Sequence, residues 1–433
     1  MKYSHLDVVG INEVTLVSND KQPKLLMQLC IFVGQLFYYT FIKHFRYKKL
    51  PEHYKGIVFL GVSLNNQRSL DPIADHLNDD EYIYLKDHKS DINKRRAMWR
   101  CIPYLPALLK TYRKSDTATK KAIKKYFTRM WVTYGYYQLA LEYLHYYQVK
   151  TLVVSSDHGE FHRCLMLRAN DLGIKTIYVQ HASVAKGFPK LIASYSFLDG
   201  RESFDKYLFS GIPEGDVYLS GGVRFDPSFN KYPRRDIKSV TTIGIAINML
   251  DDFEKIKTLC IFLLEQGYRL ILRPHPRYGA LDTTWLSDNG IGYSDPKKET
   301  SFDFISKIDL MVSNESSIHL DSAMMRCPSI AYNFSNNPIL DFYSYIKTGL
   351  IKVADSESEL IHWIQHPNEA LPNFQTLQFF NASCGTQFEG TLGQSLAKFI
   401  LDIAQTEEDS AKIIVSGFKQ DSEEASFSLY TIS

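Results

Sequence analysis

Short apolar runs recur along the chain. Each is closed by a polar knot and followed by residues spaced as on one face of a helix. A short apolar run bounded by breakers reads as a buried strand. Residues 56–63 (Gly-Ile-Val-Phe-Leu-Gly-Val-Ser) are the first such run, with a helix at 70–77 and a second strand at 81–85. Residues 87–147 read as largely helical, rich in Lys, Arg and aromatics, with breaks at Pro103 and Pro106. Strands follow at 151–155, 175–179, 195–198 and 217–219, with helices at 161–172 and 201–209. Gly173 suits the left-handed cap that ends the first of these helices. A polar stretch at 231–238, containing Pro233, reads as a linker. Then the pattern restarts, with strands at 242–247, 268–272, 291–293, 310–312 and 329–331. Helices are expected at 252–266, 356–364 and 391–404. Strands alternating with helices imply a parallel sheet covered on both faces. The expected organisation is an N-terminal segment (1–50), two such domains (51–232 and 239–404) and an acidic, serine-rich tail (405–433).

Composition narrows the class. At 433 residues the chain is long enough for two or three domains. A net charge of +2 argues against a dedicated nucleic-acid binder, which carries a strongly basic face. The six cysteines are scattered and form no Cys-x-x-Cys pair, which argues against a zinc knuckle or a disulfide framework. A reducing compartment is the simplest setting. The 28 Tyr and 26 Phe include clusters at 134–137 and 143–147. Such clusters serve helix packing, a sugar-binding groove or a membrane-facing surface.

Residues 1–20 lack the basic and apolar regions of a secretory leader. Residues 25–42 are apolar except for Gln28, Gln35 and Thr40, and Lys43, His44, Arg46, Lys48 and Lys49 follow closely. This is marginal for a membrane span, which wants about 20 apolar residues. It fits a core helix, or a helix lying on an anionic membrane surface.

The candidate chemistry lies at strand ends. Tyr268-Arg269-Leu270-Ile271-Leu272-Arg273 breaks at Pro274-His275-Pro276-Arg277, and Leu310-Met311-Val312 breaks at Ser313-Asn314-Glu315-Ser316-Ser317. Pro276 suits the first turn of a helix, and Ser316 or Ser317 suits an N-cap. Two guanidiniums, an imidazole, two hydroxyls and two helix starts converging at one sheet edge make an anion site, with phosphate the natural guest. In the first half, Asp157, Glu160 and His181 follow strands in the same way. Asp157 also fits a plain helix cap, and His158 and His162 fit packing or surface roles. No Asp-x-Asp pair of the metal-dependent kind is evident, so no metal and no cofactor are expected.

With these residues placed, the chain resembles the GT-B glycosyltransferases. More narrowly it resembles the bacterial sialyltransferases and Kdo transferases that build capsule and lipopolysaccharide. His275-Pro276 matches their His-Pro motif, and Ser316-Ser317 matches the hydroxyl pair that holds the phosphate of a CMP-sugar. Asp157-His158-Gly159-Glu160 matches their acidic motif loosely, with His158 where the family has an acid. Gln180-His181, ahead of Gly187-Phe188-Pro189, is similar to surface-polysaccharide transferases of this fold. Wall teichoic-acid glycerophosphotransferases share the His-Pro and Ser-Ser features.

The resemblance implies an α/β fold of two Rossmann-like, doubly wound domains facing across a cleft. The first would take a glycan or glycolipid acceptor and the second a nucleotide-sugar donor of the CMP-sialic acid or CMP-Kdo type. It implies a metal-independent, inverting enzyme of the cytoplasm, on the inner face of the bacterial inner membrane. Asp157 would be the base, with Glu160 as its substitute, and His275 would protonate the leaving phosphate. Arg273, His275, Ser316, Ser317, Asp321, Gly222 and Arg224 would bind the donor, and His181 and Ser183 the acceptor. Other readings stay open: a CDP-alditol phosphotransferase, a UDP-sugar transferase, a UDP-sugar 2-epimerase and a non-catalytic assembly protein.

Overall fold

The computed structural model describes residues 23–42, 45–87, 90–184, 188–232, 237–249, 251–276, 278, 281–405 and 429–430. The chain forms two compact units, Met1–Arg224 with Thr391–Ser433, and Phe225–Gly390.

The first unit opens with helix α1 (Leu25–Phe41), strand β1 (Ile57–Leu60), helix α2 (Leu64–Ala74) and strand β2 (Tyr82–Leu85). A helical insertion follows: α3 (Lys94–Cys101), α4 (Leu105–Lys114), α5 (Thr117–Lys125) and α6 (Phe127–Tyr146). Then come β3 (Thr151–Val154), α7 (Glu160–Asp171), β4 (Lys175–Val179), β5 (Tyr195–Leu198), α8 (Arg201–Leu208) and β6 (Asp216–Leu219). The sheet order is β6-β5-β4-β3-β1-β2, all parallel. Residues Leu429–Tyr430 (β13, labelled last in chain order) pair antiparallel with β6.

The insertion explains most of the aromatic clusters. Tyr134, Tyr137, Tyr143 and Tyr147 are buried. Gly135 lets α6 touch α3, because a Cβ there would fall 1.7 Å from the Ala97 carbonyl oxygen. Helix α1 docks on the insertion through Phe32, which stacks on Trp131 at 4.8 Å between ring centroids. Its Gln28 amide donates to the Lys124 and Lys125 carbonyls. Leu29, Leu36 and Tyr39 pack partly on the same core, and the opposite side of α1 exposes Leu26, Val33, Phe37 and Phe41. No helix among the described residues is long and apolar enough to cross a membrane.

The second unit holds α9 (Asp226–Lys231), β7 (Thr242–Ile247), α10 (Phe253–Glu265), β8 (Arg269–Pro274), α11 (Thr283–Asp288) and β9 (Gly292–Tyr293). It continues with α12 (Ser301–Ile305), β10 (Leu310–Ser313), α13 (Ile318–Met324), β11 (Ser329–Tyr332), β12 (Lys352–Ala354), α14 (Glu357–Gln365) and α15 (Phe374–Phe380). Its sheet order is β12-β11-β10-β7-β8-β9, again all parallel. The expected class, α/β with two Rossmann-like, doubly wound domains, is therefore present.

Three expectations change. Pro276 does not open a helix: it lies in a turn closed by Tyr278 N–H to the His275 carbonyl (2.8 Å), and the next helix starts at Thr283. Arg277 lies outside the described residues, as do Lys43, His44 and positions 233–236 of the expected linker. The division falls between Arg224 and Phe225, and the last helix, α16 (Leu392–Gln405), belongs to the first unit, not the second. The reason is its apolar stripe. Leu396, Phe399, Ile400 and Ile403 join Phe59, Val153, Phe197 and Tyr218 in one core. Gly393 permits the approach, since a Cβ there would meet the Pro72 carbonyl oxygen at 2.3 Å.

Candidate functional site

In an open parallel sheet the crevice lies outside the carboxyl ends of the strands where the winding reverses. In the first unit that point is between β1 and β3, which end in register, Leu60 beside Val154. The Asn66 amide donates to the Ser155 carbonyl (3.3 Å) and the Ser155 hydroxyl to the Asn66 carbonyl (3.2 Å), tying the two strand exits together.

Asp157 follows and has no exposed surface. The Tyr207 hydroxyl donates to its Oδ2 at 2.6 Å, and His158 Nδ1 lies 2.9 Å from its Oδ1. His158 is the outward member, with its side chain 41% exposed. Its ring is held between His181 (5.8 Å between centroids) and Phe188 (4.8 Å). Burial would raise the Asp157 carboxyl, but the bond and charge of His158 and the Tyr207 bond outweigh it and hold it below its ordinary value. Burial would lower His158, yet its bond to Asp157 and the carboxylate charge raise it above its ordinary value. His181 is pushed down to about 4 by burial and by the neighbouring His158. It is neutral at pH 7, and its buried Nδ1 has no hydrogen-bond partner among the described residues.

The expectation that Asp157 itself meets the acceptor therefore changes. A carboxylate with no exposed surface cannot touch a substrate, whereas it can orient an imidazole that does. His158 takes the outer place. Sequence reading set it aside as packing or surface. The signal available was its position in the motif, where the resembling family has an acid. Glu160 does not join this pair. It begins α7 and forms an ion pair with Arg129 on α6.

Gly222 and Arg224 lie at the edge of the first unit, after β6. Arg224 Nη2 is 2.6 Å from Oδ2 of buried Asp199, whose carboxyl burial raises against the pull of that guanidinium. Gln180 accepts from the Asp199 backbone N–H (2.9 Å) and donates to Ser203 Oγ (2.9 Å), bracing the exits of β4 and β5. Ser183 is half-buried beyond β4.

In the second unit the winding reverses between β7 and β10. Asp251 clamps the two exits: its Oδ2 accepts from the Asn248 backbone N–H (2.7 Å) and its Oδ1 from the Asn314 amide (2.8 Å). The Asn248 amide donates to the Glu315 carbonyl (3.2 Å). Buried His319 supports the same loop, with Nε2 2.9 Å from the Asn314 carbonyl and Nδ1 2.5 Å from Ser329 Oγ. Burial drives His319 down to about 4, so it is a neutral strut. Asp251, Asn314 and His319 together support this loop.

On that frame Ser317 is exposed and Ser316 half-buried, its Oγ only 3.5 Å from the Ile318 N–H. Ser317 makes no side-chain cap. His275 stands half-buried after β8, its N–H bonded to the Ile247 carbonyl (2.8 Å). The adjacent strands β10, β7 and β8 thus bring Ser316-Ser317, Asn248 and His275 to one edge. Arg273 turns inward instead, donating to Ser294 Oγ (2.7 Å) and the Glu299 carbonyl (3.0 Å). Asp321 accepts from Ser301 Oγ (2.7 Å) on α12. Among the described residues no group of three or more His, Cys, Asp or Glu could hold a metal ion.

No family model matches the chain, and no curated protein matches it in sequence. Solved structures are similar in fold. One is a UDP-GlcNAc 2-epimerase from Neisseria meningitidis bound to UDP-GlcNAc (11% identity, TM-score 0.46, 80% of this chain and 98% of that one). Another is the wall teichoic acid polymerase TagF (12%, 0.48, 88% and 95%). A third is the glycosyltransferase SnogD from Streptomyces nogalater (11%, 0.40, 84% and 99%). At these identities and TM-scores the likenesses concern the fold and assign no activity.

Proposed function

We propose that the chain is a glycosyltransferase. In this reading the β7–β10 edge of the second unit holds a nucleotide donor, and the β1–β3 edge of the first activates an acceptor hydroxyl. The observation that carries this reading is the Asp157–His158 pair, a fully buried carboxylate bonded to a half-exposed imidazole. With Nδ1–H donated to Asp157, His158 keeps a lone pair on Nε2. Nε2 takes the acceptor proton as the oxygen attacks the anomeric carbon, and Asp157 steadies the imidazolium that forms. The bond from that carbon to the donor phosphate breaks, and its electron pair goes to the phosphate. Ser316, Ser317 and His275 meet the growing charge. One base and one in-line attack give inversion. His181 and Ser183 flank the acceptor, and the neutral His181 is able to accept or donate a hydrogen bond to a sugar hydroxyl.

The donor in this reading is a CMP-sugar of the sialic acid or Kdo type, and the product a capsule or lipopolysaccharide glycan. The same base would also serve attack on phosphorus in a CDP-alditol. Calorimetric titration with CMP, CDP, UDP and GDP tests the donor. Tightest binding is expected for CMP; tighter UDP binding overturns the cytidine preference, and no binding overturns the site.

The acceptor is met at an anionic membrane surface. Besides the exposed apolar side of α1, residues 94–129 hold twelve Lys or Arg and a single acid, Asp116. Apolar side chains beside a basic field suit anionic lipid. Flotation with anionic and neutral vesicles checks it, with binding expected to the anionic ones alone.

A further inference from the structure

A cavity of about 330 Å³ opens between α1, α3, α6 and the start of α7. Every wall belongs to the first unit. Ile31, Phe32 and Val132 give it an apolar side, and Lys94, Arg129 and Glu160 a charged one. Its volume is at the lower end of the range for small-molecule sites, roughly 300–1,000 Å³. Two features of its placement limit what it could take. One wall is α1, whose far side exposes Leu26, Val33 and Phe37. Its charged end holds Glu160, which follows the Asp157-His158-Gly159 turn directly. So the cavity runs from the apolar helix toward the segment bearing the proposed base. The lining holds two cations and one carboxylate: Glu160 pairs with Arg129, and Lys94 Nζ lies 5.5 Å from the Tyr39 ring centroid.

We infer that this cavity binds an amphiphile with one apolar chain and an anionic head group, and that it is the lipid part of the acceptor. The inference rests on the acceptor reading given above. The head group lies against Lys94 and Arg129, where opposite charge is favoured in a partly water-excluded site. The start of the chain lies on Ile31, Phe32 and Val132, where each methylene removed from water contributes roughly 0.8 kcal/mol. The remainder follows α1 outward. Glu160 thereby has a part distinct from proton transfer: it orients Arg129 and keeps a second anion from the charged end.

The test uses the full chain and dodecyl phosphate below its micelle concentration, read by calorimetry. Inorganic phosphate and a neutral dodecyl glycoside are the comparison ligands. Dodecyl phosphate is expected to bind at least tenfold tighter than either. Val132→Trp, which fills the cavity, and Lys94→Gln, which removes a cation, should each weaken it about tenfold. Both variants should keep the CMP affinity of the parent, which also reports that they fold; Ile31→Trp replaces Val132→Trp if the latter does not. Equal binding of dodecyl phosphate to the parent and to the filled variants would mean that the chain merely coats the exposed side of α1, and overturns the cavity. Equal binding of the neutral glycoside overturns the head-group assignment. Failure of the parent chain to bind dodecyl phosphate, with its CMP binding intact, sinks this inference alone. Absence of CMP binding with amphiphile binding retained sinks the donor reading and leaves the cavity standing.

Discussion

The two sheet edges are built alike and charged differently. Each unit winds outward from a central strand, reverses, and leaves a polar loop at the reversal. At the first edge the loop carries ionisable groups displaced in opposite senses. His158 is raised by Asp157, Asp157 is lowered by His158, and His181 is pressed to about 4 by burial and His158. At the second edge the loop is held by amides, hydroxyls, the buried Asp251 carboxylate, which burial raises, and a neutral imidazole, His319, also near 4. Groups whose environments drive their pKa values apart mark proton-transfer sites. A rigid edge of hydrogen-bond donors marks a holding site. One topology therefore yields two tasks, and the choice lies in which side chains follow the strands.

The largest effect that would break this contrast is at the first edge. His158→Gln is expected to lower turnover by about 10²–10⁴-fold, the usual range for a general base, with CMP affinity unchanged. Near-normal turnover would remove His158 from the chemistry. Asp157→Asn should cost somewhat less and leave a distinctive trace in pH. His158 must be neutral to accept a proton, so kcat/KM rises as pH climbs through its raised pKa. Removing the Asp157 charge lowers that pKa, and the rising limb should move to lower pH while the plateau falls. A plateau that falls without the limb moving would make Asp157 a structural residue only.

The next effect is on stability, where His319 and His158 act in opposite senses. His319 has a folded pKa near 4 against about 6.5 unfolded. Below pH 6.5 the unfolded chain takes the proton first, so stability falls as pH drops from 6.5 to 4, by on the order of 3 kcal/mol. His158 works in reverse: its contribution is fully present below its unfolded pKa and is lost as pH rises through the raised folded one. Asp157 stabilises above its unfolded pKa, about 3.9, and this is lost as pH falls through its lower folded value. Melting curves across pH 4–8 should show His319→Gln less stable than the parent at pH 7 and flatter between 6.5 and 4. An unchanged slope would mean that His319 is not the buried neutral group.

Arg273 is expected to follow with a smaller change. Its guanidinium ties β8 to Ser294 and the Glu299 carbonyl. Arg273→Gln should lower stability by about 1–3 kcal/mol, because buried Ser294 and the half-buried Glu299 carbonyl lose a charged donor. Nucleotide affinity should move less than threefold. A larger loss of affinity with stability intact would return Arg273 to the phosphate.

How far this contrast could be read from sequence follows from its range along the chain. Most strands were legible, because burial writes them as unbroken apolar runs; β12 (Lys352–Ala354), only partly buried, was not. The polar exits were legible for the same reason. What a run does not specify is which of two neighbours faces out. Asp157 and His158 are adjacent, and only the distant Tyr207 decides that the carboxylate is the inner one. Arg273 is likewise drawn inward by Ser294, and Asn314 is held by Asp251 across a strand pairing. The return of α16 to the first sheet was hidden because its apolar stripe fits either unit equally well as a pattern.

The smallest expected effect falls on Ser316, and it sharpens the comparison most finely. Its hydroxyl is 3.5 Å from the Ile318 N–H, too long for a strong cap. Loss of a good N-cap costs about 1 kcal/mol, so Ser316→Ala should shift stability by less than about 0.5 kcal/mol. A hydroxyl that binds phosphate loses more, roughly tenfold in affinity for one charge-assisted hydrogen bond. CMP affinity should therefore fall about tenfold while the melting temperature barely moves. His319→Gln should do the opposite in proportion, loosening the loop and lowering both together. If Ser316→Ala changes stability by a full cap and leaves affinity alone, the second edge holds no phosphate there, and the hydroxyl pair is a helix start and nothing more.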